Sequence, residues 1–264
     1  MNAIALIAYN TFRDAIRQKI VFLMAFVAVA LTLSSRYLLN FDLGHEQLGF
    51  IADFTTGALG FFGTIIAIVS VCQLFYSEFE GRTAATLLSK PVGALEFVAG
   101  KFCGVAMLLA VFVLAVSVLG AAMMLYVQRL LEGAPDDILI GRRLNLDIPG
   151  FCAFAFLQFL KLVTVAAMAT FVCMVSRSLM FSVIVSFMAC AVSLVIGSEF
   201  TEAGGAFERA AAWVFPNLRV FEASEAFIFE GAKVSALLAA AAYSAVYSAA
   251  LCALGIWAFS GREV

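Results

Sequence analysis

Charge is scarce in this 264-residue chain. Asp, Glu, Lys and Arg together make up 13% of it, about half the roughly 25% of ordinary soluble domains. Apolar residues make up 64%, against roughly 45–50% in such domains. So few charges cannot cover so much apolar surface, which excludes a soluble fold. The same numbers exclude disorder. There is no basic excess either, because 16 cations face 18 acids for a net charge of −2. A nucleic-acid footprint needs a basic face, so that partner class is excluded. Histidine occurs once, at His45, which leaves little to build a metal centre, and none is expected. Six cysteines are present, at 72, 103, 152, 173, 190 and 252, with no CxxC pair and no loop holding two. They read as small buried residues of apolar segments rather than disulfide partners or metal ligands. No HExxH or GxSxG occurs, and no Ser/His pairing lies in the apolar runs, so no catalytic constellation is expected. Gly100-Lys101 superficially resembles a phosphate-binding loop. Leu95 stands where its first glycine belongs, and Phe102 where a Ser or Thr should hold magnesium.

What remains is an all-α, polytopic membrane protein. Crossing the hydrocarbon core takes about 20 apolar residues in a helix. Six segments qualify: Ile20–Leu39, Thr55–Tyr76, Phe102–Val127, Phe151–Val175, Leu179–Gly197 and Val234–Phe259. The polar stretches between them are too short for a soluble domain, so residues 1–264 form one membrane domain. Ala28-Val29-Ala30 offers a signal-peptidase site. The apolar run continues past it, however, and a long patterned leader precedes it, so it reads as a first span. Arg13, Arg17 and Lys19 stand before that span and only Arg36 after it, which places both termini in the cytoplasm. The remaining loops carry nearly balanced cations, so orientation rests on this first span.

Several segments carry possible function. Residues 1–19 read as an amphipathic helix lying in the membrane interface. Ile4, Ile7, Ala8, Phe12, Ala15 and Ile16 share one face, with Asn10, Arg13, Asp14, Arg17 and Gln18 on the other. Ser77–Lys101 holds Glu78, Glu80, Arg82, Lys90, Glu96 and Lys101 around small apolar groups. Pro91 splits it into a short helix over Glu80–Ser89 and a second piece leading into the third span. By physics alone this stretch is either a docking hairpin or a solvated loop. Lys161 falls inside the fourth span, one turn after Gln158. A cation at that depth costs about 2.5–3.5 kcal/mol on insertion scales. It either lines a pathway or interface, with Asp53 as candidate partner, or snorkels outward from a shallower position. Gly100 and Gly104 form a GxxxG, and Ala241, Ala245, Ala249 and Ala253 repeat every four residues. Both rows suit close helix packing, within the chain or across a dimer seam. Residues 198–233 interleave six glutamates with aromatics, a pattern expected of short interfacial helices capping the outer face.

One family resemblance is specific. Glu78, Glu80, Arg82-Thr83, Leu87-Leu88-Ser89-Lys90-Pro91, Glu96-Phe97 and Gly100-Lys101 resemble the signature of type-2 ABC transporter permeases. The branch most resembled is the permeases associated with maturation of multicopper enzymes such as nitrous-oxide reductase. The leader resembles that family's elbow helix, and Pro216-Asn217 with Phe221 and the short tail Phe259-Ser260-Gly261-Arg262-Glu263 also resemble it. The resemblance implies the permease half of an exporter in a bacterial inner membrane. A second permease copy, the same or different, would complete the pathway. A separate cytoplasmic ATPase would bind ATP and magnesium, and this chain no cofactor. Residues 77–101 would be the cytoplasmic coupling segment between spans 2 and 3, with Glu78, Glu80, Arg82, Thr83, Lys90 and Pro91 meeting that ATPase. The competing classes are an intramembrane enzyme, which would show activity as the chain alone, and a structural assembly subunit.

Overall fold

A computed structural model describes residues 3–38, 47–80, 93–132, 147–176, 178–195, 214–231 and 233–260. Among them every regular element is helical. The order is α1 (Ala3–Ile16), α2 (Lys19–Leu38), α3 (Gln47–Glu80), α4 (Ala94–Glu132), α5 (Ile148–Val175), α6 (Leu179–Val195), a 3-10 helix (Leu218–Ala226), the one-turn α7 (Phe227–Glu230) and α8 (Val234–Ser260).

Each of the six expected apolar segments falls on a helix over its described residues. Four described helices, α3, α4, α5 and α8, are long and apolar enough to cross a membrane on their own. Counting α1 and α2 as one bent pair gives a fifth. With 17 residues, α6 reaches only about 25 Å at 1.5 Å per residue, just under the roughly 30 Å hydrocarbon core. By contrast α3 and α4 run for 34 and 39 residues, about 50 and 60 Å, and project beyond any core. Hydropathy marks where water begins. A helix continues past that point when polar formers such as Gln128 and Arg129 follow the apolar run without a breaker.

The sharp bend lies between α1 and α2, whose axes differ by 67°. It forms where Arg17 and Gln18 donate their N–H groups to Asp14 and Ala15, three residues back, tightening the last turn of α1.

Contacts between helices fix the direction of the bundle. A Cβ on Gly120 would meet Thr55, and one on Gly63 would meet both Phe112 and Leu162. The Phe75 and Phe97 rings lie edge to face at 6.4 Å. Numbers rise on α3 as they fall on α4, so these two are antiparallel. Gly63 beside Leu162 and Cys72 beside Cys173 make α3 and α5 parallel. Ser193 against Met168 and Tyr76 against Ser182 make α6 antiparallel to both. Ser244 beside Thr164 and Gly255 beside Met174 make α8 parallel to α5. The helices from α3 onward therefore alternate up and down.

Helix α5 is the hub. Its most apolar window is 67% buried, against 17% for α8 at the edge. Asp147 caps its start, accepting the Gly150 N–H at 2.9 Å, with Pro149 in the first turn. Only Ser176–Ser178 separate it from α6. Several buried hydroxyls are satisfied locally. Thr32, Thr55, Thr164, Thr170 and Ser193 each donate to the carbonyl four residues back, which avoids the cost of a bare hydroxyl in an apolar helix.

The cysteines divide. Cys72, Cys173 and Cys190 are buried, whereas Cys103 and Cys152 are exposed and Cys252 half-buried, all as free thiols. The expectation that all six are buried thus fails for Cys103 and Cys152. Both lie on outward faces of α4 and α5, where an apolar side chain meets lipid as readily as protein.

Candidate functional site

Two places in the fold concentrate polar groups. The first is the end of the bundle where α3 finishes and α4 begins. Glu78 and Glu80 occupy the last turn of α3. Arg82, Thr83, Lys90 and Pro91, and with them most of the expected coupling segment and its Glu80–Ser89 helix, lie outside the described residues. The approaches on either side are well defined. Lys101, on the second turn of α4, is 1% exposed. It donates to the Leu74 carbonyl, and its ammonium sits 4.7 Å from the Phe75 ring centre and 4.9 Å from that of Phe97. The two ring faces and the carbonyl each hold the cation in place. This Lys therefore ties α4 to the end of α3.

Helix α1 closes the same end. A Cβ on Gly100 would lie 2.8 Å from Ile7 Cβ, and one on Gly104 would lie 2.6 Å from Thr11 Cβ and 2.7 Å from the Ala8 carbonyl oxygen. The GxxxG thus lets the backbones of α1 and α4 touch, as small-residue rows do. This packing lies within the chain.

The second place is the middle of the bundle. Leu162 packs at Gly63 and Phe112, close to the midpoints of α3 and α4, so its neighbour Lys161 lies at mid-depth. Lys161 is 8% exposed. Its Nζ is 3.9 Å from Glu222 Oε1, and Glu222 has 48% of its side chain exposed. The partner expected from the sequence was Asp53. That residue is exposed on α3, one helix away, and bears on the cluster through its field. Gln158 and Thr164 are buried one turn to either side of Lys161 on α5. The Thr164 and Ser244 hydroxyls lie 2.9 Å apart, and Ser244 also donates to the Leu160 carbonyl at 3.2 Å.

Glu222 reaches this depth because its segment turns inward. The expectation for residues 198–233 was short helices at the interface. The described part, residues 214–231, does form short helices, but they pack into the bundle. Leu218, Phe221 and Ile228 are fully buried. At the start of α5 the Asp147 N–H donates to the Ile228 carbonyl at 3.1 Å, and a Cβ on Gly150 would lie 1.9 Å from the Phe227 carbonyl oxygen. From there the 3-10 helix runs down beside α5 to Glu222 at Lys161. Deeper still, the Tyr243 hydroxyl accepts the Asn217 N–H at 2.8 Å, and the Tyr247 hydroxyl donates to the Val214 carbonyl. Asn217 Oδ1 accepts the Arg219 N–H at 3.0 Å, which shapes the turn entering the 3-10 helix. Arg219 Nε then donates to the Leu194 carbonyl at 2.9 Å. That bond satisfies an orphan carbonyl at the end of the short α6 and sets a cation at its negative dipole end. Where α6 stops, the re-entrant segment takes over. Irregular backbone at this depth needs protein around it, and α5, α6 and α8 supply it.

Acidic side chains crowd this centre. Burial, then Asp53 and Glu222, push the Glu225 carboxyl above its ordinary range, and Lys161 pulls it partly back. At 3.9 Å the Lys161–Glu222 attraction is about 4 kcal/mol at an effective dielectric of about 20. That is close to the roughly 2.5–3.5 kcal/mol cost of placing the cation at mid-membrane. Half-exposure of Glu222 screens the gain further. The pair about breaks even, so stability alone does not account for a Lys at this position.

The alanine row of α8 faces away from this centre. Ala241 is half-buried, and Ala245, Ala249 and Ala253 are exposed. The face turned to α5 carries Ala240, Ser244 and Ser248 instead. No group of His, Cys, Asp or Glu that could hold a metal occurs among the described residues. Glu222, Arg219 and the two tyrosines escaped the sequence reading as parts of one site. Pro216-Asn217 and the outer-loop acids were visible, but no local pattern marks a loop that turns back between helices. No family model matches the chain, and no curated protein matches it.

Proposed function

We propose that this chain is the membrane permease subunit of an ATP-driven exporter. A separate cytoplasmic ATPase powers it, and a second permease copy completes it. In this reading α2, α3, α4, α5, α6 together with the segment that follows it, and α8 make six crossings of a bacterial inner membrane, with both termini in the cytoplasm. The observation that carries it is the junction at the inner end. There α1 bends 67° from α2 and seats on α4 through Gly100 and Gly104, while Lys101 ties α4 to α3. Force applied to the connection between Glu80 and Ala94 would reach three helices at once. Chemical energy delivered there would tilt the bundle as a unit. The exposed alanine face of α8 supports pairing with a second copy, because close packing of small residues drives association where lipid removes any hydrophobic gain. Lys161 is then a cation lining the transport path, offset by Glu222.

Two experiments test this reading. In a cysteine-free background, Asp136→Cys should react with an impermeant maleimide from outside the cell, and Ala85→Cys should not. The reverse pattern would sink both the orientation and the coupling role. Affinity purification from native membranes should then bring down an ATPase. Arg82→Glu should weaken that co-purification or uncouple hydrolysis from transport, because reversing a guanidinium adds repulsion to the lost bond. The effect of breaking a charged contact runs from about 2 to 5 kcal/mol if buried and much less at a rim. Glu46→Lys, on the outer side, is the control. If Arg82→Glu, Glu78→Lys and Glu80→Lys all bind and transport as wild type, the coupling role is wrong.

A further inference from the structure

A cavity of about 550 Å³ lies under α1, between it and the inner ends of α3, α4 and α6. Its size falls in the roughly 300–1,000 Å³ range of small-ligand sites. Its lining includes polar Asn10, Asp14 and Gln18 of α1 with Gln73 of α3, and apolar Phe97 and Leu179. Among the described lining residues the one charged side chain is Asp14. The Gln18 Oε1 atom is buried and accepts no hydrogen bond. A buried acceptor left bare costs about 1–3 kcal/mol. The cavity thus offers an anion, an unmet acceptor and apolar side chains within one lining.

We propose that this cavity binds the headgroup of an aminophospholipid, with a primary ammonium on Asp14 and Gln18. Three arguments narrow the ligand to that class. Asp14, the one charge among the described lining residues, attracts a positive group and repels an anionic one. An acceptor in need of a donor selects N–H groups, so a primary ammonium with three donors fits and a quaternary ammonium with none does not. An amphipathic α1 beside two apolar helix ends belongs at the membrane interface, where lipid headgroups are the abundant amines. Arg13 and Arg17 are exposed on the same helix, and they supply cations for the adjoining phosphate. The proposal rests on the packing of α1 and on the membrane setting, not on the transport reading, and its success or failure leaves that reading untouched.

Native mass spectrometry of the full chain in detergent tests it. Phosphatidylethanolamine, phosphatidylcholine and phosphatidylglycerol of matched acyl chains are titrated in parallel. Phosphatidylethanolamine should be retained at least about tenfold over the other two. Asp14→Asn, at an exposed position that tolerates it, should bring it down to the phosphatidylcholine level, and Gln18→Met should do so in part. Equal retention of the ethanolamine and choline lipids by the wild type would overturn the proposal. So would an ethanolamine preference that survives Asp14→Asn. Glycerophosphoethanolamine, which lacks acyl chains, should fail to displace the lipid at equal concentration. Displacement would make this a site for soluble amines and overturn the lipid assignment.

Discussion

The seam between α1 and α4 and the mid-bundle centre hold their elements by different means. At the seam, α1 lies on α4 because two glycines leave no side chain between the backbones. The contact between those two helices rests on shape. In the middle, the 3-10 segment is held by polar groups, among them Lys161 to Glu222, Arg219 to Leu194, Asn217 to Tyr243 and Tyr247 to Val214. A regular helix hides its own backbone and can dock on shape alone. An irregular segment exposes its backbone and must be met by donors and acceptors. The seam should therefore respond to volume, and the centre to charge and hydrogen bonding.

The largest effect should come from volume at the seam. Gly104→Leu would drive a branched side chain into Thr11 and the Ala8 carbonyl, and helix backbones cannot yield as a flexible side chain would. A loss of about 3 kcal/mol is expected, at the upper end of overpacking costs. Thermal unfolding in detergent would show it as a fall in Tm. Gly104→Ser should cost less. Near-wild-type stability for Gly104→Leu would mean α1 is not seated on α4.

Charge at the centre should give a smaller and asymmetric effect. Glu222→Ala leaves the Lys161 cation uncompensated and should cost about 1–2 kcal/mol, below the 3–5 kcal/mol of a fully buried pair because Glu222 is half-exposed. Lys161→Met removes the buried charge and keeps its bulk, so stability should hold or rise. Equal losses in both variants would show that the pair stabilises the fold and would remove the reason to look for another role.

The smallest effect concerns pH. Glu225 is held protonated to higher pH than an ordinary carboxyl by burial and by Asp53 and Glu222. Its charged form is the disfavoured one, so it contributes stability at acid pH that is lost as pH rises through its folded pKa. Glu225→Gln should thus raise Tm by about a degree at pH 7. The gain should vanish at acid pH, where the wild type is already neutral. A gain that is the same at both pH values would assign the effect to packing.

How much of this was legible beforehand differs between the two places. The GxxxG at Gly100 and Gly104 and the amphipathic leader were both plain in the sequence. Their meeting was not, because nothing local pairs one with the other. Lys161 was conspicuous as a cation in an apolar run. Its partner Glu222 lies about sixty residues away and looked like one of six outer-loop glutamates. The alanine row of α8 was visible as a repeat, but a repeat of four marks two possible faces. Ser244 and Ser248, one residue ahead of Ala245 and Ala249, are the ones that turn to α5.

Composition and hydropathy by themselves settled the all-α membrane class and placed a helix at each of the six apolar runs. Both are local consequences of moving backbone into a medium without water, where each peptide group must be bonded within its own segment. Which faces meet was decided by tertiary structure. So was the inward turn of residues 214–230, which fills the space beyond the short α6. The physical reason is that a lipid-facing and a protein-facing apolar residue are alike in hydropathy. Only shape, and the few polar groups that must find one another across the bundle, distinguishes them.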